Sequence, residues 1–488
     1  MMLLSQAAQV LSGRLVGADA RFTAVSSDSR KLSPGDLFVA LRGENFDGYE
    51  FIAQATQRGA AAALVNADSY HGEAAACPLL LVADTRLALG QLAAYWRLQF
   101  AIPVIAITGS NGKTTVKEML ASILGVAAGS ADAVLATPGN LNNDIGMPLT
   151  LLKMNAAHRY AVIEMGMNHS GEIDYLSRIA TPDVALINNA SSAHLQGLGS
   201  VEAIARAKGE IFAGLRHHGT AVINADDAYA PLWRSLAGVH PLFEFGLDPH
   251  ADVSGTWQAH GAGYGSGLRL DVTAPQGMFA ADLQVTGVHN ACNALAATAA
   301  AGVLNIPLQA IAAGLEKFGG VSGRLQRKAA RHGAVLIDDT YNANPASLRA
   351  AISVLAQAVG KRILVMGDMG ELGDDAAKLH AEIGGEARRA GIEKMYALGT
   401  LSGNAVREFG SGARHFERIE DLQDALEKEL DANTTVLVKG SRFMKMERVV
   451  SYCVDAEKGE GGREKGGADA GFRPSPSPHP PSQTKGTH

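Results

Sequence analysis

Thr108-Gly109-Ser110-Asn111-Gly112-Lys113-Thr114-Thr115 follows the apolar run Pro103-Val104-Ile105-Ala106-Ile107. It opens a stretch in which Val116, Met119, Leu120, Ile123 and Leu124 recur at helical spacing. The run reads as a parallel strand covered on both faces, and the spacing after it as an amphipathic helix. Glycines at such a strand-to-helix turn let backbone amides face an anion, and the helix N-terminus adds partial positive charge. Lys113 then reaches the outer phosphates of a nucleotide, and Thr114 offers its hydroxyl to Mg²⁺. Gly109, Ser110, Asn111, Gly112, Lys113, Thr114 and Thr115 are therefore the expected ATP-binding residues. The position five before Gly112 holds Ile107 where the common pattern has glycine, so the loop is a shortened variant.

Outward from this loop, strand and helix signals alternate. Tyr160 to Ile163, Val184 to Ile187 and Ala221 to Ile223 read as strands separated by helical segments, as in a doubly wound parallel sheet. A helix is expected from Val201 to Arg216. The alternation restarts near Ala334 with strands Val335 to Ile337, Ile363 to Met366, Met395 to Leu398 and Val436 to Val438. Before the loop, Ser33-Pro34-Gly35-Asp36 precedes the strand Leu37 to Leu41, Phe51 to Arg58 looks helical, and a helix from about Thr85 to Phe100 leads into the loop strand. The expected fold class is α/β with three domains. A small N-terminal α/β domain covers 1–84, a central ATP-binding parallel-sheet domain 85–315, and a C-terminal Rossmann-like α/β domain 316–455. Residues 456–488 are Gly-rich and then Pro-rich from Pro474 to Pro481, and are expected to be a disordered tail.

Composition excludes several classes. No apolar run approaches the roughly 18 to 20 residues of a membrane span, and the N-terminus lacks the basic segment of a signal peptide. The net charge of -6 argues against a nucleic-acid surface. Cys77, Cys292 and Cys453 are far apart and form no Cys-x-x-Cys pair, which suits a reducing cytoplasm and argues against structural zinc.

Other residues gather at the carboxyl ends of the expected strands, where ligands of such sheets bind. Glu164 ends one strand and reads as a metal ligand, although strand-end carboxylates are common on surfaces. The next strand leads to His194, which taken alone reads as structural and beside Glu164 and Thr114 reads as functional. Lys208 lies on the apolar stripe of Ile204, Ile211, Phe212 and Leu215. Its stem either snorkels to water or the amine belongs to the site. Asn290 caps a helix or hydrogen-bonds a base. Arg324 suits phosphate and Asp339 suits ribose hydroxyls.

These motifs resemble those of the ATP-dependent Mur ligases of bacterial cell-wall synthesis, over roughly residues 3 to 455. The loop from Thr108 to Thr114, Glu164, His194, Lys208, His289-Asn290, Arg324 and Asp339 occur in the family's order. Thr137 to Gly146, Asp338 to Pro345, Gly367-Asp368-Met369-Gly370-Glu371-Leu372-Gly373 and Lys439-Gly440-Ser441-Arg442 resemble the branch that completes the pentapeptide precursor. The Asp-Asn-Pro-Arg motif typical of the sister enzyme that adds the third amino acid is absent.

The resemblance implies that ATP phosphorylates the terminal carboxylate of UDP-N-acetylmuramoyl-tripeptide and that the amine of D-alanyl-D-alanine attacks the acyl phosphate, releasing ADP and phosphate. It implies Lys113, Glu164, His194 and Lys208 as catalytic residues. Two Mg²⁺ ions are expected on Thr114, Glu164, His194 and Lys208, the last often carbamylated in this family. Asn290 is expected at adenine, Arg324 at the phosphates and Asp339 at the ribose. Ser29, Arg30, Asn45, Phe46 and Asp47 are expected at the UDP-sugar end, Asn142 and Asn143 at the substrate, and Ser441 and Arg442 at the dipeptide. A cytoplasmic monomer with domain closure about 316–325 is expected. The rival readings are the sister ligase, a folate polyglutamylating enzyme and a noncatalytic ATP-binding protein.

Overall fold

The structure, a computed structural model, describes residues 1–43, 46–191, 195–260 and 267–454. The N-terminal sheet has five strands: β1 (Arg14–Val16), β2 (Ala24–Ser26), β3 (Asp36–Val39), β4 (Ala62–Asn66) and β5 (Leu79–Val82). Their order is β1-β5-β4-β3-β2, parallel except for the β1-β5 pair. Helix α1 (Ile52–Gln57) crosses between β3 and β4. Helix α2 (Thr85–Arg97), whose first amides are capped by Asp84, leads out of this sheet.

The central domain follows with β6 (Val104–Thr108), α3 (Lys113–Ala128), β7 (Val134–Ala136), β8 (Tyr160–Glu164), α4 (Glu172–Ala180), β9 (Val184–Ile187), α5 (Val201–Gly209), β10 (Thr220–Asn224), α6 (Ala230–Ala237) and β11 (Leu242–Gly246). The chain steps from β6 out to β7 and β8 on one side and then crosses to β9 on the other. That reversal makes the carboxyl end of β6 a topological switch point, where open α/β sheets bind ligands. The register sets Glu164 opposite Ile107 and Ile187 opposite Thr108, so both neighbouring strands end at the phosphate loop. Buried Ile105 and Ile107 face Val116, Leu120 and Ile123 of α3 in one apolar cluster.

Two expectations are corrected. The helix expected from Val201 to Arg216 ends at Gly209, and Glu210–Gly214 form a tighter 3-10 turn. A Cβ on Gly214 would come within 2.1 Å of Ser177 backbone, so this turn lies directly on α4. The central sheet is also not wholly parallel, because β12 (Val253–Ala259), β13 (Leu268–Ala274) and β14 (Gly277–Leu283) extend it as an antiparallel meander. Helices α7 (Val288–Val303) and α8 (Leu308–Lys317) cover its apolar face.

The third domain has strands β15 (Gln326–Ala329), β16 (Val335–Asp339), β17 (Lys361–Gly367), β18 (Lys394–Leu398), β19 (Ala413–Phe416) and β20 (Thr434–Lys439), ordered β15-β16-β20-β17-β18-β19. Only the edge pair β15-β16 is antiparallel. Helix α9 (Pro345–Leu355) follows β16, capped by Asn344. The carboxyl ends of β16, β17 and β20 face the phosphate loop across a cleft. The tail 456–488, Asn45 and His194 lie outside the described residues.

Candidate active site

A cavity of about 1150 Å³ lies between the phosphate loop and the third domain. Gly112 begins α3 at φ +79°, and a Cβ there would come within 2.3 Å of Asn293 Oδ1 and 2.5 Å of Asn188 Nδ2. Those amides brace the loop: Asn188 Nδ2 donates to Asn111 O and to Asn293 Oδ1, each at 2.9 Å. Asn111 N donates to Asn189 Oδ1 at 2.9 Å, and Ser191 N donates to Ser110 Oγ at 2.9 Å. The Lys113 amine folds back to donate to Gly109 O at 2.7 Å. Burial lowers its pKa, Glu164 opposes that shift, and Arg324 adds to it.

Glu164 is buried at the end of β8. Its Oε1 accepts from Asn142 Nδ2 at 2.8 Å, while its buried Oε2 has no hydrogen-bond partner among the described residues. Buried carboxylate oxygens are normally satisfied, so this one is available to a cation. Asn143 Oδ1 accepts from Gly146 N at 2.9 Å and shapes the same loop. Lys117, fully buried, donates to Thr137 O at 2.7 Å, and Thr137 Oγ1 accepts from Glu164 N at 2.9 Å, which fixes where the carboxylate begins.

Lys208 is also buried. Burial first, and then the nearby Lys113 cation, push its pKa well below the ordinary lysine value. Both effects favour the uncharged form of the amine. Among the described residues no three His, Cys, Asp or Glu side chains gather as a metal cage. One carboxylate, a hydroxyl and substrate phosphates are instead the donor set Mg²⁺ accepts, since it keeps several waters.

On the opposite wall, Asn290 Nδ2 donates to Thr286 O at 2.8 Å, and its Oδ1 accepts from Asn293 Nδ2 at 3.3 Å. The Nε2 of His289 is buried without a partner, and burial followed by the Lys439 charge pulls its pKa down to about 4. Arg324 lies 4.2 Å above the Tyr341 ring and donates from NH2 to Thr114 Oγ1 at 3.0 Å. Asp339 accepts from Lys439 Nζ at 2.6 Å and from Leu325 N at 3.2 Å. Burial raises the Asp339 pKa, and Lys439 and Arg324 pull against it. Asn344 Nδ2 donates to Asn111 Oδ1 at 2.9 Å, a second bond between the third domain and the phosphate loop.

The structure thus brings together around one cleft Lys113, Glu164, Asn142, Asn143, Asn290, Arg324, Asp339, Ser441 and Arg442. Ser29, Arg30, Phe46 and Asp47 lie apart from it on the N-terminal domain. There Ser29 Oγ donates to Gln54 Oε1 at 2.7 Å, Arg30 pairs with Asp28, and Asp47 caps the turn Gly48–Phe51. Sequence reasoning assigned no individual role to Lys117, Asn188, Asn189, Ser191, Asn293, Tyr341 or Lys439, although Tyr341 and Lys439 stand within the family-like stretches Asp338 to Pro345 and Lys439 to Arg442. Two successive asparagines at the end of a buried strand were the available signal.

Three family models match the chain: Mur ligase family, catalytic domain, over residues 21–97; Mur ligase middle domain over 107–301; and Mur ligase, glutamate ligase domain, over 323–442. The chain belongs to the Mur ligase family. A UDP-N-acetylmuramoyl-tripeptide--D-alanyl-D-alanine ligase of Escherichia coli is 42% identical over 450 residues, covering 92% of this chain and 97% of the relative. A crystal structure of MurF from Acinetobacter baumannii is 38% identical with a TM-score of 0.84, covering 92% of this chain and 97% of that one. MurF from Thermotoga maritima, solved in complex with ADP, is 27% identical with a TM-score of 0.77, covering 89% and 97%. As a Mur ligase, the chain is α/β in all three of its domains.

Proposed function

We infer that this Mur ligase is an ATP-dependent peptide ligase that joins D-alanyl-D-alanine to UDP-N-acetylmuramoyl-tripeptide, giving the pentapeptide precursor of peptidoglycan. The observation that carries the reading is its 42% identity across 97% of a relative named for that reaction. The cleft supplies the matching chemistry. A carboxylate is a poor electrophile because oxide would have to leave, and phosphorylation provides a better leaving group. The loop amides and Lys113 hold the nucleotide phosphates, and Lys113 with Arg324 meets the negative charge that develops at the transferred phosphoryl group. Asn290 faces the adenine and Asp339, held by Lys439, the ribose. Closure of the third domain excludes water that would hydrolyse the acyl phosphate.

Thr114 and Glu164 would hold one Mg²⁺, with His194 and a carbamylated Lys208 toward a second; the partnerless Glu164 Oε2 supports this. When bound, the ions neutralise phosphate charge and polarise the phosphoryl oxygens. The burial that lowers the Lys208 pKa favours the uncharged amine that reacts with carbon dioxide. Enzyme exchanged with carbon-13 bicarbonate is expected to show a carbamate resonance that Lys208→Arg lacks; full activity with an unmodified lysine would contradict it. Ser29, Arg30, Asn45, Phe46 and Asp47 are assigned to the UDP-sugar end, Asn142 and Asn143 to the peptide, and Ser441 and Arg442 to the dipeptide side. The domain boundaries near residues 84 and 316, a cytoplasmic location and a monomeric state belong to the same reading. No helix among the described residues is long and apolar enough to cross a membrane.

The test is phosphate release by purified protein with ATP and UDP-N-acetylmuramoyl-tripeptide, with and without the dipeptide, and with the product checked by mass. Release that requires the dipeptide is expected. Release supported by a single amino acid and the corresponding UDP-dipeptide would move the assignment to the sister enzyme.

A further inference from the structure

Lys117 follows Lys113 on α3 by about one helical turn, yet it does not line the cleft and is fully buried. Its neighbours along the helix, Val116, Met119 and Leu120, are buried and apolar. An ammonium is expensive to bury unless it is paired, and an apolar side chain of similar volume often serves such a place as well or better. The amine has two partners. One is Glu118 Oε1 at 2.8 Å, on a side chain that reaches the surface. The other is Thr137 O, to which it donates at 2.7 Å, where β7 leaves the sheet.

That carbonyl has been taken out of the ladder. Strands β7 and β8 run parallel with Ala136 opposite Val162, and Thr137 N donates to Val162 O at 3.1 Å. In an evenly spaced parallel ladder the next bond would run from Glu164 N to Thr137 O. Glu164 N donates instead to Thr137 Oγ1 at 2.9 Å. The hydroxyl stands in for the carbonyl that Lys117 holds, the ladder ends, and the chain leaves the sheet as the loop 138–146. Asn142 on this loop then returns to the same strand end. Its Nδ2 donates to Glu164 Oε1 at 2.8 Å, and its carbonyl accepts from Gly166 N at 2.8 Å. A Cβ on Gly166 would come within 2.8 Å of Asn142 Oδ1, so glycine leaves the room this approach needs. On the other flank, Thr108 Oγ1 of β6 donates to Met165 O at 3.0 Å. The backbone of Glu164 and one of its carboxylate oxygens are thereby held, and Oε2 is left without a partner among the described residues.

We propose that Lys117 is a positioning residue for the cation at Glu164. By drawing off Thr137 O it ends the β7-β8 ladder and turns the loop 138–146 back onto Glu164, so that Asn142 holds one carboxylate oxygen and the other is presented to Mg²⁺. The inference rests on the assignment of Glu164 to a cation and adds the group that orients it. Without the ammonium, Thr137 O competes with the hydroxyl for Glu164 N and the carboxylate shifts, while the phosphate-loop amides that meet the nucleotide keep their own braces.

Calorimetric titration of the whole chain with ADP, in the presence and absence of Mg²⁺, tests this without turnover. Mg²⁺ is expected to tighten ADP binding to the parent. Lys117→Met and Thr137→Val are expected to reduce that gain roughly 10-fold, as the loss of groups that orient a metal ligand does, with the metal-free ADP affinity unchanged. Thr137→Ser keeps the hydroxyl and should keep the parent's gain. In steady state the same two variants should raise the Mg²⁺ concentration for half-maximal phosphate release by a similar factor and leave the dipeptide KM alone. Lys117→Gln, whose stem is too short to reach Thr137 O, replaces the methionine variant if that one does not fold. A parental Mg²⁺ gain in a folded Lys117 variant or in Thr137→Val overturns this inference alone. So does an equal loss of ADP affinity with and without Mg²⁺, which marks general support of the phosphate loop. ADP binding to the parent that Mg²⁺ leaves unchanged overturns the cation at Glu164 and this inference with it.

Discussion

Gly112 answers two demands at once: a backbone at φ +79° and a surface on which the Asn188 and Asn293 amides rest. Gly112→Ala is expected to add about 1 kcal/mol of left-handed strain and to push Asn293 off the loop, raising the ATP KM and lowering the melting temperature. An unchanged ATP KM would show that the loop tolerates the displacement. Lys113→Met should cut dipeptide-dependent phosphate release roughly 100- to 1000-fold, measured at saturating ATP. His289 gives a pH signature. Its folded pKa lies at about 4, below the ordinary histidine value of 6.5, so the folded state favours the neutral ring. The stability it contributes is therefore complete above about pH 6.5 and drains as the pH falls toward 4. Melting curves across that window should fall less steeply for His289→Gln than for the parent; equal slopes would place the titration elsewhere. Lys113 and Gly112 are legible in sequence because glycine spacing and a following lysine are local signals. Asn293 is not, because its role rests on a contact with Asn188 across 105 residues.

Strands β6, β8 and β9 matter because their registers end together. Glu164 and Asn188 reach the phosphate loop as consequences of strand length, which is why a carboxylate closing a buried strand could be read as a site residue from sequence. The amide network that joins β9 to α7 is an element-scale brace. Asn293→Ala removes one of the two bonds that the buried Asn188 amide donates, a cost of about 1 kcal/mol. It is expected to lower the melting temperature and raise the ATP KM while leaving the dipeptide KM alone; an unchanged melting temperature would contradict the bracing role. The antiparallel meander was missed although its signal is present. Leu268, Leu270, Val272 and Ala274 are buried, while Arg269, Asp271 and Thr273 point out, a period-two pattern obscured by reading the region as continued strand-helix alternation. The end of α5 at Gly209 was hidden for another reason. The tight approach of Gly214 to α4 is tertiary, and apolar spacing continues past it.

At the scale of the whole molecule, the third domain is joined to the phosphate loop through Arg324 on Thr114 and Asn344 on Asn111, pairs separated by 210 and 233 residues. No local pattern carries such pairs, so the expected closure of the third domain on the nucleotide came from the family resemblance and not from any spacing in the chain. Thr114 is also the hydroxyl assigned to Mg²⁺, so nucleotide binding has to rearrange this junction. Scattering curves are expected to change on adding saturating nucleotide and UDP-N-acetylmuramoyl-tripeptide, as the segment 316–325 lets the domain move; superimposable curves would contradict hinge motion. The proposed reaction turns on a carboxylate activated by phosphorylation and captured by an amine. Its most direct test uses UDP-N-acetylmuramoyl-tripeptide labelled with oxygen-18 in the terminal carboxylate, with ATP and D-alanyl-D-alanine. One labelled oxygen is expected in the released phosphate for each pentapeptide formed. Pentapeptide accompanied by unlabelled phosphate would contradict the acyl phosphate, and labelled substrate left unchanged would contradict the ligase.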